Sequence, residues 1–146
     1  TTAKESHPWE YVHNEVGYNY RMPNLNAALG VAQLEQMPNF LTRKRKLSGI
    51  YENAFSSVDG VDFVSEPVNC KSNYWLNAIL LAPDAKGLKD EILSKSIGAG
   101  IGVRPAWRPL HTLSPFVDCP HMDLSTAEDI YDRLITLPSS PALVDN

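Results

Sequence analysis

Residues 17–24 place two side chains that suit an anion directly before a long segment of helical periodicity. Asn19 and Arg21 are two positions apart, so an extended backbone would point both side chains to the same side. The asparagine amide donates hydrogen bonds, and the planar guanidinium matches phosphate oxygens. A helix beginning at Asn24 would add free N–H groups and its positive dipole end. The pattern is equally compatible with a phosphate site and with an aromatic loop whose arginine pairs with a carboxylate.

A second group of chemical interest lies in the segment RPAWRPLH, residues 104–111. Arg104, Trp107 and His111 bring a cation, an aromatic plate and an imidazole into the few residues that follow a predicted strand end. Such a set suits a phosphorylated or ring-bearing ligand. The alternative is a loop with solvated arginines and a tryptophan packed into the core.

Three further patterns favour ordinary structural roles. The basic run at residues 43–46 lies mid-helix in an acidic protein, which favours a solvated helix face over a phosphate patch or nuclear signal. Cys119 and His121, with His111 nearby, lack the CxxC or HxxxH pairing of a metal site. Ser, His and Asp are present, but without the G-x-S-x-G elbow of a hydrolytic enzyme.

The composition is that of a globular chain of about one domain. The 146 residues are 43% hydrophobic and 21% charged, which excludes disorder and collagen-like repeats. Thirteen basic and 17 acidic side chains give a net charge of −4, which argues against a nucleic-acid partner. No apolar run reaches the roughly 18 residues of a membrane span. Cys70 and Cys119 are too few for a disulfide framework, so a reducing, cytoplasmic location is the expectation.

Apolar periodicity and turn residues predict the elements that must position these side chains. One long helix, capped by Asn24 and kinked or broken at Pro38, should end before residue 59. The last helix should begin at Ser125, with a capping box through Glu128 and with Leu134 on its apolar face. The other predictions are strands at 61–64, 74–82 and 101–107, a helix at 87–97 and a proline-rich tail at 137–141. The order indicates an α+β layer, a small three-stranded sheet flanked by helices.

Three blocks of sequence resemble the C-terminal half of the DegT/DnrJ/EryC1/StrS family of pyridoxal-phosphate-dependent sugar aminotransferases: GYNYRM (17–22), NAALG (26–30) and QLE (33–35). The RPAWRPLH loop and the DLSTAE…LPSSP stretch look most like the branch that aminates UDP-linked 4-keto sugars. The resemblance, which runs from about residue 10 to the end, implies the small C-terminal domain of the aspartate-aminotransferase-like (fold type I) fold over residues 24–146. Residues 1–23 would be an extended segment of the large-domain and dimer-interface region.

The resemblance also implies roles for individual residues. Asn19 would reach across a homodimer interface to the cofactor phosphate of the neighbouring subunit, with Arg21 beside it. The loop that holds Arg104, Trp107 and His111 would line the nucleotide-sugar pocket. In the intact enzyme a glutamate-type amino-acid donor would load the cofactor with the amine that a 4-keto sugar nucleotide then accepts.

The lysine that the chemistry requires has no clear counterpart in the sequence. Transamination needs a Schiff-base lysine, and in the family it lies in a Ser-x-x-x-Lys stretch upstream of the NYR motif. Lys4 lies upstream without that serine, and the other lysines follow the motif. The expectation is a C-terminal fragment that cannot transaminate alone, with pyridoxal phosphate bound mainly by a missing N-terminal domain. The alternatives are a stand-alone, non-catalytic ligand-binding or interaction domain, and a pyridoxal-phosphate sensor.

Overall fold

The computed structural model describes residues 7–12, 15–16, 18 and 22–144. Within these residues a 32-residue helix, α1 (Asn24–Phe55), precedes a small sheet and two shorter helices. The shorter helices are α2 (Lys89–Gly98) and α3 (Ser125–Arg133), and the strands are β1 (Val61–Phe63), β2 (Asn77–Leu81), β3 (Arg104–Pro105) and β4 (Leu134–Leu137). Short 3₁₀ turns span Pro83–Leu88, Leu110–Thr112 and Pro141–Val144.

The four strands form one antiparallel sheet in the order β1-β2-β4-β3. Ile135 on β4 lies opposite Ile79 on β2 and opposite Pro105 on β3, so β4 joins the two sides of the sheet. The predicted α+β class is confirmed, but the predicted count of three strands is wrong. The missed strand begins at Leu134, which was predicted on the face of α3. It pairs because its buried residues complete the core between β2 and β3, and local periodicity carries no information about that pairing.

The hydrophobic core lies between the sheet and the helices. Its fully buried side chains include Leu81, Leu93 and Ile135, which come from β2, α2 and β4. The C-terminal part of α1 covers this core with Tyr51 and Phe55. Burial of each such aliphatic side chain contributes about 1.5–3 kcal/mol. The packed core therefore supports the edge of the sheet that carries β3.

Helix α1 runs uninterrupted through Pro38 and begins one residue earlier than predicted, because Pro23 rather than Asn24 is the N-cap, and Pro23 makes no side-chain capping bond. The predicted break is absent. Proline removes one ladder bond, to the carbonyl of Leu34, and this half of the helix is exposed, so water can bond that oxygen. Apolar side chains such as Leu25, which is 80% exposed, stand out from this half. No helix in the described part of the chain has the length and apolar character of a membrane span.

The basic run on α1 is not the solvated face that the sequence favours. Lys44 and Arg45 are half-buried, and both donate to backbone carbonyl oxygens of loops that lie far along the chain. Loop carbonyls next to strand ends need donors, and these two side chains reach them. The charge run thus includes two structural tethers.

Two predicted elements are shorter than their apolar runs. The strand predicted at 74–82 begins at Asn77, because Tyr74 has a positive φ of 45° that an extended strand does not permit. The strand predicted at 101–107 consists of Arg104–Pro105 alone, and Pro105 has no N–H for a longer ladder. The helix predicted at 87–97 is preceded by a 3₁₀ turn and starts at Lys89.

The predicted capping box at the start of α3 does not form. Asp123 takes the role instead: its carboxylate accepts the Ser125 backbone N–H at 3.1 Å and the Ser125 hydroxyl at 3.0 Å. The carboxylate of Glu128 lies 2.7 Å from Nε2 of His111. A tertiary partner therefore replaces the local one.

The described part of the N-terminal segment packs on the same core. Trp9 lies against the core side chains, and the Glu10 carboxylate accepts from Arg108 at 2.7 Å and from the Tyr131 hydroxyl at 3.2 Å. Tyr18 is largely exposed. The division of the chain at residue 23 stays a prediction.

Candidate functional site

Two of the predicted site residues, Arg104 and Trp107, line one cavity of about 170 Å³. It lies where the chain enters β2 and leaves β3. We call it the indole pocket, and its lining residues are Tyr11, Trp75, Leu76, Arg104, Pro105, Trp107 and Thr136. The sheet brings these residues together because β4 pairs with both β2 and β3.

The main feature of the indole pocket is a stacked pair of tryptophans. The rings of Trp75 and Trp107 have centroids 5.8 Å apart and planes 19° from parallel. Their side chains are nonetheless 64% and 56% exposed, so much of the ring surface of the pair is open. Large exposed aromatic surfaces on a folded chain typically mark binding sites.

Arg104 supplies the cationic group of the pocket. Its side chain is exposed, and Nη1 donates to the Val103 carbonyl oxygen at 3.0 Å. Its own carbonyl oxygen accepts from the buried Thr136 hydroxyl at 3.0 Å, which fixes the backbone of β3 on β4. A guanidinium has five N–H donors, so this arrangement leaves donors for an anionic ligand.

Trp75 is the site residue that sequence reasoning missed. The dense apolar run from Tyr74 predicts a strand, which hides the bend before Asn77. Two local turns produce the bend: Ser72 Oγ accepts the Tyr74 N–H and Asn73 Oδ1 accepts the Trp75 N–H, both at 2.9 Å. Ser and Asn before an apolar run are the signal that would have revealed it.

His111 lies in a different cavity from Arg104 and Trp107. This histidine pocket has a volume of about 430 Å³ and is lined by Pro109, Leu110, His111, Phe116, Cys119, Pro120, His121, Leu124 and Ala127. The imidazole is mostly buried and packs 5.1 Å from the ring of His121. The short turn Leu110–Thr112 sets it against Glu128 of α3, so its role in a nucleotide-sugar pocket stays a prediction.

Other candidate ligands are placed as follows. Asn19 and Arg21 lie outside the described residues, so their assignment to a phosphate also stays a prediction. Within the described part of the chain, no three or more His, Cys, Asp or Glu side chains converge in a group that would hold a metal ion. Cys70 and Cys119 are exposed free thiols.

Comparison with known sequences decides the family. The profile of the DegT/DnrJ/EryC1/StrS aminotransferase family matches residues 3–146. The chain belongs to this family. It is 37% identical over 136 residues to the GDP-perosamine synthase of Escherichia coli O157:H7, which covers 92% of this chain and 35% of the relative. It is 30% identical over 147 residues to the dTDP-4-dehydro-2,3,6-trideoxy-D-glucose 4-aminotransferase of Saccharopolyspora spinosa, covering 99% of this chain and 37% of the relative.

The fold agrees with that of a solved aminotransferase. PseC of Helicobacter pylori, an aminotransferase involved in the biosynthesis of pseudoaminic acid, superposes with a TM-score of 0.76 at 23% identity. The match covers 97% of this chain and 38% of that chain. It confirms the fold type I prediction. This DegT/DnrJ/EryC1/StrS chain spans about a third of the length of the curated relatives it matches.

The indole pocket does not fit pyridoxal phosphate as a covalently held group. That cofactor needs a lysine amine, and the lining of the indole pocket provides indoles, a phenol, a hydroxyl and the Arg104 guanidinium. Lys44 lines a neighbouring cavity, but its ammonium is engaged by two backbone carbonyls. The indole pocket instead offers exposed ring surfaces and one guanidinium, without an amine that could form a covalent bond.

Proposed function

We propose that this chain is the C-terminal part of a pyridoxal-phosphate-dependent aminotransferase that transfers an amino group from a glutamate-type donor to a 4-keto sugar nucleotide. Family membership supports the type of chemistry. The observation that carries the substrate class is the open Trp75–Trp107 stack beside the exposed Arg104 guanidinium. The task of this chain is to hold the nucleotide half of the acceptor.

The side chains of the indole pocket, whose cavity of about 170 Å³ would hold only part of such a ligand, suit the base and one phosphate of a nucleoside diphosphate. Stacking of a nucleobase on an indole contributes about 1–3 kcal/mol to binding, whichever base it is. Arginine binds phosphate oxygens through paired N–H donors. The phenol of Tyr11 on the same wall adds a further aromatic surface. Aromatic plates and one cation together select a ligand that has both a ring and a negative charge.

The cofactor and the dimer enter the proposal through the family resemblance. Pyridoxal phosphate supplies the electron sink for the amino transfer when it is bound. Asn19 and Arg21 would contribute to its phosphate site from the neighbouring subunit of a homodimer. The exposed apolar side chains on the first half of α1 support such a contact, because monomeric proteins rarely expose a row of apolar side chains to water. The Schiff-base lysine and most cofactor contacts would lie outside these 146 residues, and the 146 residues alone would be inactive.

One observation favours the alternative of a self-contained, non-catalytic binding domain. Trp9 and Glu10 of the N-terminal segment are held by the core, Arg108 and Tyr131 of this same chain. A segment that served only a large domain would not need these contacts. Turnover by the full-length protein separates the two functions.

The test is binding and turnover in the full-length protein. Calorimetric titration with UDP, GDP and dTDP should show binding, and Trp107→Ala should weaken it about tenfold through loss of stacking. Arg104→Gln should weaken diphosphate binding while leaving the weaker binding of the uncharged nucleoside unchanged. Glutamate should bind the parent protein, Trp107→Ala and Arg104→Gln with equal affinity.

Leu110→Ala is the matched control, because Leu110 is exposed on the same loop but lines the histidine pocket. It should bind nucleotides like the parent. Equal nucleotide affinity in Trp107→Ala and Leu110→Ala would contradict the assignment of the indole pocket. Binding without amino transfer in the full-length protein would favour the binding-domain alternative.

A further inference from the structure

Lys44 on α1 joins the two segments that flank the central strands. Its Nζ donates to the carbonyl oxygen of Trp75 at 3.0 Å and to that of Ser139 at 2.6 Å. Trp75 precedes β2 and Ser139 follows β4, so both oxygens lie at the same end of the sheet. Burial lowers the pKa of the Lys44 ammonium below its usual range. Strong hydrogen bonds to the two carbonyl oxygens compensate the ammonium for the water that burial removes.

The neighbouring Arg45 ties down the loop that leads to Trp75. Its two Nη atoms donate to the Glu66 carboxylate at 3.3 and 3.1 Å, and one of them also donates to the Ser72 carbonyl oxygen. The Glu66 carboxylate also accepts the Ser72 backbone N–H at 2.6 Å. The guanidinium lies 5.8 Å from the centroid of the Tyr74 ring. Adjacent residues of one helix thus hold successive points of this loop.

Ser139 connects the same tether to β2. Its Oγ accepts the backbone N–H of Asn77 at 2.8 Å and donates to the Leu137 carbonyl oxygen at 2.8 Å. Asn77 is almost completely buried, so this end of β2 is rigid. The Lys44 ammonium therefore fixes the Trp75 peptide relative to a well-packed reference point.

The Trp75 side chain lies mostly in solvent. It is 64% exposed, and the ring contact that the structure gives it is the stack on Trp107, which comes from a separate loop. A stack between two loops needs both backbones at fixed positions, since an aromatic contact is worth only about 0.5–1.5 kcal/mol by itself. The backbone of Trp75 is fixed from α1.

We propose that Lys44 is a positioning residue of the nucleotide site: its bonds to Trp75 and Ser139 hold the Trp75 indole at stacking distance from Trp107, and Arg45 supports it through Glu66 and Ser72. The consequence for ligand binding rests on the proposed function. The geometric part does not, because it concerns the tryptophan pair alone. Because these bonds concern the tryptophan pair, we expect Lys44 to affect acceptor binding and to leave amino-donor binding unchanged.

The first test reads the stack directly, in the full-length protein. Stacked tryptophans give a far-ultraviolet exciton couplet in circular dichroism, which is assigned by its loss in Trp75→Phe and in Trp107→Phe. Lys44→Met should lose the same couplet while unfolding cooperatively. Lys44→Arg, which can still donate to both carbonyls, should restore it. Lys46→Met is the matched control, because Lys46 is exposed two residues along the same helix, and it should keep the couplet.

The second test reads the consequence for the acceptor. Lys44→Met should raise the KM for the sugar nucleotide about tenfold, as loss of a stacked base would, with the KM for glutamate unchanged. Lys44→Gln, which removes the charge but keeps an NH₂ donor group, replaces Lys44→Met if the latter does not fold.

An intact couplet in a folded Lys44→Met variant would overturn the inference. A parent protein in which neither tryptophan substitution removes a couplet would also overturn it. A couplet lost from Lys44→Met with an unchanged KM for the sugar nucleotide would support the positioning role and contradict the proposed function of the indole pocket. The two failures are thereby separated.

Discussion

The indole pocket and the histidine pocket receive residues from the same stretch of chain, yet they offer opposite surfaces. The indole pocket presents two exposed rings and a guanidinium, without an acidic side chain among its described lining residues. The histidine pocket has a largely apolar lining, and its imidazole is already paired with Glu128. The rings and the guanidinium of the indole pocket are exposed to an incoming ligand, whereas Nε2 of His111 already has an internal partner.

This difference teaches that closeness along the chain is a poor guide to a shared site. Arg104, Trp107 and His111 lie within eight residues. The strand pairing of β3 keeps the first two at the sheet, and a 3₁₀ turn places the third against α3. Trp75, which is far from them in sequence, joins the indole pocket through β2 and β4.

The largest expected effect comes from the strand beneath the indole pocket. Ile135 is completely buried and lies opposite both Ile79 and Pro105. Ile135→Ala should lower the free energy of unfolding by about 2–5 kcal/mol, because it leaves a cavity in the packed core. Equilibrium unfolding in urea measures the change. Ile130→Ala, on the more exposed face of α3, is the control, and an equal loss in both variants would contradict the special position of β4.

The next effect separates the two pockets by ligand affinity. Trp75→Ala should weaken nucleoside diphosphate binding by about 1–3 kcal/mol, measured by calorimetry on the full-length protein. Phe116→Ala, in the lining of the histidine pocket, should leave that affinity unchanged. The comparison between the pockets fails if Phe116→Ala weakens nucleotide binding as much as Trp75→Ala does.

A smaller effect is expected at the histidine pocket. His111→Phe removes the contact with Glu128 and should lower the free energy of unfolding by about 1 kcal/mol, the usual worth of such a hydrogen bond. Nucleotide affinity should not change. His121→Phe alters the exposed partner ring and should cost less, as thermal unfolding would show. A loss of nucleotide affinity in His111→Phe would mean that both pockets contribute to one nucleotide site.

The smallest expected effect is a response of the Trp75 loop to acid. Hydrogen bonds from Arg45 and then from the Ser72 N–H hold the pKa of Glu66 below its ordinary value of 4.5. A depressed carboxyl pKa means that the stabilisation is complete above 4.5 and is lost as the pH falls through the lower, folded-state pKa. Acidification through that range should weaken the tryptophan exciton couplet.

Two variants check this response. Glu66→Gln should show the weakened couplet already at neutral pH and little further change on acidification. Glu91→Gln removes an exposed pair with Lys95, whose contact likewise lowers the pKa of Glu91, and it should leave the couplet and its acid response intact. A couplet that weakens in Glu91→Gln but stays unchanged in Glu66→Gln would contradict the role given to the Arg45–Glu66 contact.

The elements with strong local signals were predictable from the sequence, and those defined by their partners were not. Helix α1 has many turns of apolar periodicity, so its extent was predicted to within a few residues. Strand β4 has only four residues and follows α3 without a turn, so nothing local distinguishes Leu134 from another helical residue. Lys44 and Arg45 resemble solvated helix side chains until the loops that they bind are placed beside them.

The sequence by itself determined the family, the α+β class and the presence of a cation and an aromatic ring near the end of β3, because motifs and periodicities are local and survive without coordinates. Only the tertiary structure decided which residues share a cavity. Trp75 meets Trp107 because antiparallel pairing through β4 brings two distant loops to one end of the sheet, and His111 leaves that group because Glu128 on α3 bonds its imidazole. Such pairings depend on contacts between segments far apart along the chain, which composition and spacing do not encode.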